Sequence, residues 1–396
     1  MNRKRTAKAA GIRLSALLIM LAGLTLYWFF ERDTSQPLVN PSVKTASLAS
    51  TGVLFEFGIE DKADFYVTEK GDFFFCTKDG IKFYDSLGQH KWERVFNMLE
   101  PILVGEGEMA AAAEHGGKVL YVFNSSGPLY SLQFDYPITS FSINRTGYAA
   151  VILQKENDKY DINVYDGNST TEPCWRRGNE DYGVFPLACD VSDDGKYVAL
   201  SLLDINDVVP ASKILFCHIK KTDSNQMETD TIFYGSEKSD QLVGIMKFMD
   251  NGMLIAVSDS GIFGMEAVND TVLEKWTLEF NNQLDKISYN SGKGFAIALG
   301  KGLINKSSEP VGTIKYYNIK GENKFDVSGD GLASFLWAGQ DSLLIGNGTG
   351  WKVLDTKGRQ LWEYQAPYNV TEIMLLNSTN DVLMISGNKA EIMKRD

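Results

Sequence analysis

Residues 343–364 read LLIGNGTGWKVLDTKGRQLWEY: three apolar runs, at 343–345, 351–354 and 360–364, separated by two short polar turns. Runs of this length, rich in aromatic and branched residues, form strands and are too short for helices. The second turn is Asp355-x-x-Gly358, with Trp362 four residues beyond the glycine. Asp closes such a turn by accepting bonds from its own backbone, and Gly supplies the positive φ the turn demands. The unit is therefore a set of antiparallel hairpins, and a chain made of such units has few folds open to it.

The hairpin recurs. Its turns are Glu69-Lys70-Gly71-Asp72, Gly105-Glu106-Gly107-Glu108, Asn144-Arg145-Thr146-Gly147 and Ser192-Asp193-Asp194-Gly195, then Asp250-Asn251-Gly252, Ser291-Gly292-Lys293-Gly294, Gly339-Gln340-Asp341 and Thr379-Asn380-Asp381. The mean spacing from Gly71 to Asp381 is about 44 residues, which matches the period of a four-stranded propeller blade. The high glycine content (36) and low proline content (10) suit many short strands joined by tight turns. The Asp-x-x-Gly-x-x-x-Trp pattern of Asp355 to Trp362 is repeated from Asp85 to Trp92, and Asn269-Asp270 with Trp276 keeps the turn but lacks the glycine. One indole per unit at a fixed offset predicts packing between blades rather than ligand stacking.

These counts predict an all-β, eight-bladed β-propeller, with seven blades as the alternative if the weak unit around Gly107 is incomplete. The last unit holds three strands before the chain ends. Residues 52–57 (GVLFEF) resemble a fourth strand, so the reading closes the ring by pairing them with the C-terminal blade. The propeller domain then spans residues 51–396.

The N-terminus has a different character. Arg3, Lys4, Arg5, Lys8 and Arg13 precede an uncharged run at 14–30, LSALLIMLAGLTLYWFF, which ends in an aromatic cluster. Seventeen helical residues span roughly 25 Å, close to a ~30 Å bilayer core once Arg13 snorkels. The expectation is a transmembrane helix at 14–30 with residues 1–13 cytoplasmic and the propeller outside the cell membrane, by the positive-inside rule. Trp-Phe-Phe-Glu after the run is a poor cleavage site, and no cysteine precedes Cys76 to accept a lipid. Residues 31–50, rich in Ser and Thr with Pro37 and Pro41, read as a flexible tether.

Charge narrows the partners. The net charge of −12 divides into +5 over residues 1–30 and −17 over the rest. A body so acidic repels phosphate backbones, which argues against nucleic acid. Cys76, Cys174, Cys189 and Cys217 form no CxxC, and a Cys174–Cys189 disulfide is left open by the sequence. His90, His115 and His218 lie in separate units, and there is no GxSxG, P-loop or HExxH. Asp326-Val327-Ser328-Gly329-Asp330-Gly331 begins like a calcium loop but has Trp337 where the closing Glu belongs. No catalytic residue, cofactor or metal site is assigned.

The repeat units resemble WD-type and quinoprotein-type propellers. The whole chain, with its basic start, single span, Ser/Pro tether and degenerate propeller, resembles a family of membrane-anchored propeller proteins of Gram-positive, clostridial-type bacteria, a domain of unknown function. That resemblance implies a fold and a location. It does not imply quinone-dependent oxidation, because the vicinal cysteine pair of those enzymes is absent.

Loop length gives the one site argument. Three units lengthen the loop between their second and third strands: 154–159, 204–212 and 301–312. Such loops share a face with the blade-to-blade connections, and function in repeat folds sits on loops held by a rigid scaffold. The candidate binding residues are Glu156, Asp158, Asp204, Asn206, Asp207, Lys306 and Glu309. The reading is a non-enzymatic extracytoplasmic scaffold of the cell envelope that contacts the membrane through residues 14–30 and an envelope protein or wall component through this face. The competing readings are an envelope sensor, for which a 13-residue cytoplasmic end is short, and a carbohydrate-active or quinone-dependent enzyme, which an acidic cluster in the central channel would favour.

Overall fold

The computed structural model describes residues 48–58, 62–167, 172–219, 232–268, 271–290, 292–302, 312–328, 335–339, 341–376 and 381–395. The transmembrane helix expected at 14–30, the cytoplasmic end and most of the tether lie outside these residues. Among the described residues no helix is long and apolar enough to cross a membrane.

Thirty-two described strands form eight antiparallel sheets of four. Seven sheets take their strands in chain order, spanning residues 64–95, 101–133, 138–179, 184–239, 243–279, 282–327 and 335–365 (blades 1 to 7). The eighth is Glu372–Leu375, Asp381–Ser386, Lys389–Arg395 and, as its fourth strand, Leu48–Glu56. The protein is an eight-bladed β-propeller. The closing strand begins inside the stretch read as tether: Leu48, Ala49 and Ser50 pair with Arg395, Lys394 and Met393. Phe57 continues the closure, its N–H donating to Asn388 O at 3.0 Å while Asn388 Nδ2 donates to Phe57 O at 2.8 Å.

The core follows from this layout. A blade is covered on both faces by its neighbours, so its second strand is apolar on every residue instead of on alternate ones. Phe73–Thr77, Ala149–Gln154 and Met253–Ser258 show this, each buried almost throughout. Eight apolar clusters result, one at each blade-to-blade interface, the last joining blade 8 to blade 1 through Leu383, Ile385 and Ile392 against Phe73, Phe75 and Tyr84. The weak unit around Gly107 is a full blade. Its second strand, Met109–Glu114, is built of alanines because Phe74, Phe83 and Phe123 fill the space beside it.

The tryptophans do the packing their spacing predicts. Trp92 Nε1 donates to Ser125 O, and Trp276 Nε1 to Ile319 O, each at 3.2 Å in the third-to-fourth-strand turn of the next blade. Trp362 is buried between blades 7 and 8. Burying an aromatic of this size contributes about 3 kcal/mol or more per side chain. In the turns before these indoles, Asp85 Oδ1 accepts from Leu87 N and Gln89 N, and Asp355 Oδ1 from Lys357 N and Arg359 N. Gly358 has φ +79°, and a Cβ there would lie 2.7 Å from the Phe325 ring of blade 6. The glycine thus serves both the turn and the fit between blades. Cys76, Cys174, Cys189 and Cys217 form no disulfide, and Cys174 and Cys189 meet the same apolar cluster between blades 3 and 4.

Candidate functional site

Four antiparallel strands per blade sort the connections onto two ends of the ring. Turns between first and second strands, and between third and fourth, share one end, hereafter the turn end. Loops between second and third strands share the other, the loop end, with the blade-to-blade connectors.

At the loop end the 154–159 and 204–212 loops come together through the connector 180–183. Lys155 Nζ reaches Asp161 Oδ1 at 3.3 Å and Glu180 Oε1 at 3.2 Å, and Lys159 Nζ lies 2.5 Å from Glu180 Oε2. Asn206 Nδ2 donates to Tyr182 O at 2.7 Å, and Ile205 N to Gly183 O at 2.9 Å. Gly183 has φ +73°, and a Cβ there would strike Asn206 at 2.5 Å. Asp204 accepts from Lys213 Nζ at 2.6 Å and from Asn206 N at 3.0 Å, bonds that hold its carboxyl below the usual range. Glu156 and Asp158 sit in a single 3-10 turn, exposed, with Asp158 at φ 55°. Asp207 is exposed beside Val208. Lys306 and Glu309 lie outside the described residues.

Charge is not what marks this end. Tyr182 is 86% exposed, Val208 fully so, and Ile205, Val209 and Leu242 are exposed with them. Asp240 N donates to Pro210 O at 2.9 Å, tying the Leu242 connector to the same loop. Leu99, Tyr136 and Tyr368, also exposed, stand on other connectors of this end.

The turn end holds a site that loop length does not reveal. Arg145, in the first turn of blade 3, places Nη2 at 2.7 Å from both Glu69 Oε1 of blade 1 and Asp250 Oδ1 of blade 5, and 3.7 Å from Glu106 Oε1 of blade 2; its Nε is 3.4 Å from Asp193 Oδ2 of blade 4. Blades 1 and 5 stand opposite each other in an eight-membered ring, so one guanidinium spans the mouth of the channel. Beneath it Lys247 Nζ meets Glu106 Oε2 at 2.5 Å. Burial opposes the Lys247 ammonium, but Asp190 and Glu106 outweigh it and raise its pKa. Asp190, 1% exposed, accepts from Phe248 N at 2.7 Å through Oδ2, and burial raises its pKa. Burial also pushes Asp193 up to about 6, against the pull of Arg145.

A cavity of about 430 Å³ lies beside this cluster, walled by Tyr66, Thr68, Glu106, Lys247, Tyr289 and Trp337 among others. The acidic cluster that would favour an enzyme therefore exists, with Arg145, Lys247 and backbone N–H groups engaging its carboxylates. His90, His115 and His218 belong to blades 1, 2 and 4 and none lines the cavity. No group of three or more His, Cys, Asp or Glu among the described residues could hold a metal.

A family model described as "Family of unknown function (DUF5711)" matches residues 52–394. The chain belongs to that family. The matched stretch runs from the closing strand to the last strand of blade 8. No curated protein matches this family member by sequence. Among solved structures it is similar to Saccharomyces cerevisiae Sqt1, at 10% identity and a TM-score of 0.51, over 89% of this chain and 99% of that one. It is similar also to a eukaryotic initiation factor, at 11% identity and a TM-score of 0.52, over 87% and 90%. BamB from Moraxella catarrhalis aligns at 11% identity and a TM-score of 0.47, over 88% and 100%. At such identities the likeness concerns the propeller fold alone.

Proposed function

We propose that this chain is a non-enzymatic binding scaffold held on the outer side of the cell membrane. The uncharged run at 14–30 is the anchor, the basic residues before it stay inside, and the Ser/Pro-rich stretch gives the propeller reach. The resemblance to membrane-anchored propellers of clostridial-type bacteria supports this location, as does the confinement of Arg3, Lys4, Arg5, Lys8 and Arg13 to the side before the run.

One observation carries the binding role. Tyr182, Ile205, Val208, Val209 and Leu242 are exposed on loops whose backbones are pinned to one another at the loop end of blade 4. Exposed apolar side chains grouped on a pre-set backbone mark an interaction surface, because binding buries them without first ordering the loop. Asp181, Asp204, Asp207 and Asp240 flank the group. The partner is accordingly an envelope protein with an apolar surface edged by Lys or Arg.

Site-specific photocrosslinking in intact cells tests this. A probe at Val208 captures a defined protein, the adduct is lost in Tyr182→Asp, and a probe at Leu87 on the turn end captures none. Equal labelling from both positions removes the face assignment. Protease added to the same cells degrades the propeller, and full protection removes the location.

A further inference from the structure

We propose that the docking face at the loop end is turned away from the membrane, and that its partner is a protein offering its contact surface on a folded domain held clear of the bilayer. The inference rests on the anchor and docking readings above and adds how the two are joined.

The closing strand of blade 8 sets the direction. The third strand of that blade, Lys389–Arg395, follows the second-to-third connection at Gly387 and Asn388. That connection lies at the loop end, so Arg395 lies at the turn end. Leu48 pairs with Arg395 and Glu56 with Lys389, so the closing strand starts at the turn end and runs to the loop end. Every residue before Leu48, the apolar run included, therefore joins the propeller from the turn end.

The joint is firm. The Phe55 ring centroid lies 4.4 Å from that of Phe75 and 5.1 Å from that of Tyr84 in blade 1. Thr51 Oγ1 donates to Ile392 O at 2.9 Å, and Lys389 Nζ meets Glu56 Oε1 at 3.2 Å. Leu48 itself packs against the apolar cluster between blades 7 and 8. A strand held in this way by three blades does not fray, so the point where the chain enters is fixed relative to the ring.

Reach decides which end meets the bilayer. Seventeen residues, 31–47, separate the apolar run from Leu48. A flexible chain of that length has an end-to-end distance of roughly 21–25 Å. The nine-residue closing strand, which runs from one end of the ring to the other, is about 30 Å long. Bringing the loop end to the bilayer would draw the chain back along that height, past its ordinary reach and at a cost in entropy. Bringing the turn end to it needs no such stretch. Tyr182, Val208 and their neighbours thus stand on the order of 50 Å from the bilayer, tether and blade together.

That distance selects the partner. A loop of about ten residues between two membrane spans rises at most about 18 Å, so it falls short, whereas a folded outer domain spans the gap. A second copy of this chain in the same membrane turns its own loop end outward, so two docking faces do not meet.

Energy transfer in vesicles tests the direction. The full-length chain is reconstituted in phosphatidylcholine vesicles carrying an acceptor on the lipid headgroup, with a fluorescent amino acid in place of Ser126 or His115. Both residues are exposed and belong to blade 2, Ser126 at the turn end and His115 at the loop end. Transfer from Ser126 exceeds that from His115 severalfold. In cells, the Val208 adduct maps to a folded outer domain of the partner. Equal transfer from the two sites, or more from His115, in a chain that floats with the vesicles overturns the direction and leaves the anchor standing. A chain that does not float removes the anchor and the proposal together. An adduct mapped to a partner residue beside a membrane span overturns the choice of partner, and no adduct at Val208 removes the docking face itself.

Discussion

The two ends of the propeller are made by the same strands, yet they handle polarity in opposite ways. At the turn end the hairpins are short, and charged side chains from several blades meet at the mouth of the channel. Arg145 and Lys247 supply partners for acids from four other blades. At the loop end the connections are longer and lie in solvent. Their backbones are tied by Asn206 and Gly183, while Tyr182 and Val208 point outward. One end spends its side chains on holding the ring together, and the other leaves them for contact.

If this contrast is right, substitutions at the two ends should differ most in stability. Lys247→Met leaves Glu106 and Asp190 enclosed without their shared cation. Urea unfolding at pH 8 should show a loss of about 3–5 kcal/mol, as for other broken buried pairs, and a loss under about 1 kcal/mol would mean that water reaches the cluster.

A smaller effect separates the ends by pH. Asp193 binds its proton more tightly when folded, near 6 against about 3.9 unfolded. Its contribution is therefore complete below about pH 4 and is lost as pH rises through 6. Asp204, at the loop end, has its pKa lowered by Lys213 and contributes in the opposite sense, its stabilisation fading as pH falls. Asp193→Asn should make stability rise more steeply between pH 4 and 6 than in the unsubstituted chain. An unaltered profile would place Asp193 in open water.

The smallest effect is expected at the loop end. Tyr182→Ser with Val208→Ser should shift stability by no more than about 0.5 kcal/mol, because neither side chain is packed. A larger loss, read in the same denaturation, would make these residues part of the fold and not a surface for contact.

Much of the architecture is legible in the chain. The strands Gly350–Asp355 and Gln360–Gln365 lie within two residues of where the apolar runs put them, because alternation and Asp-x-x-Gly turns are local signals. Trp92 and Trp276 pack across blades as their offset implies. The channel cluster is not legible in the sequence, although Glu69, Arg145, Asp193 and Asp250 occupy equivalent first turns. A single cation among acids in that series was the available clue. It has meaning only once the turns are known to share one mouth. Lys247 and Asp190 gave no clue, because a charged residue within an inner strand reads as a solvent-facing one until the ring closes over it.

The sequence by itself determined the repeat, its closing strand and the asymmetry between a basic apolar start and an acidic body, since hairpin period and charge are properties of neighbours along the chain; it left eight or seven blades open, and the structure decided eight. Only the tertiary structure decided which residues meet at the axis. Those contacts join blades up to about 180 residues apart (Glu69 to Arg145 to Asp250), and the ring geometry that brings them to one mouth is a property of the whole assembly and not of neighbours along the chain.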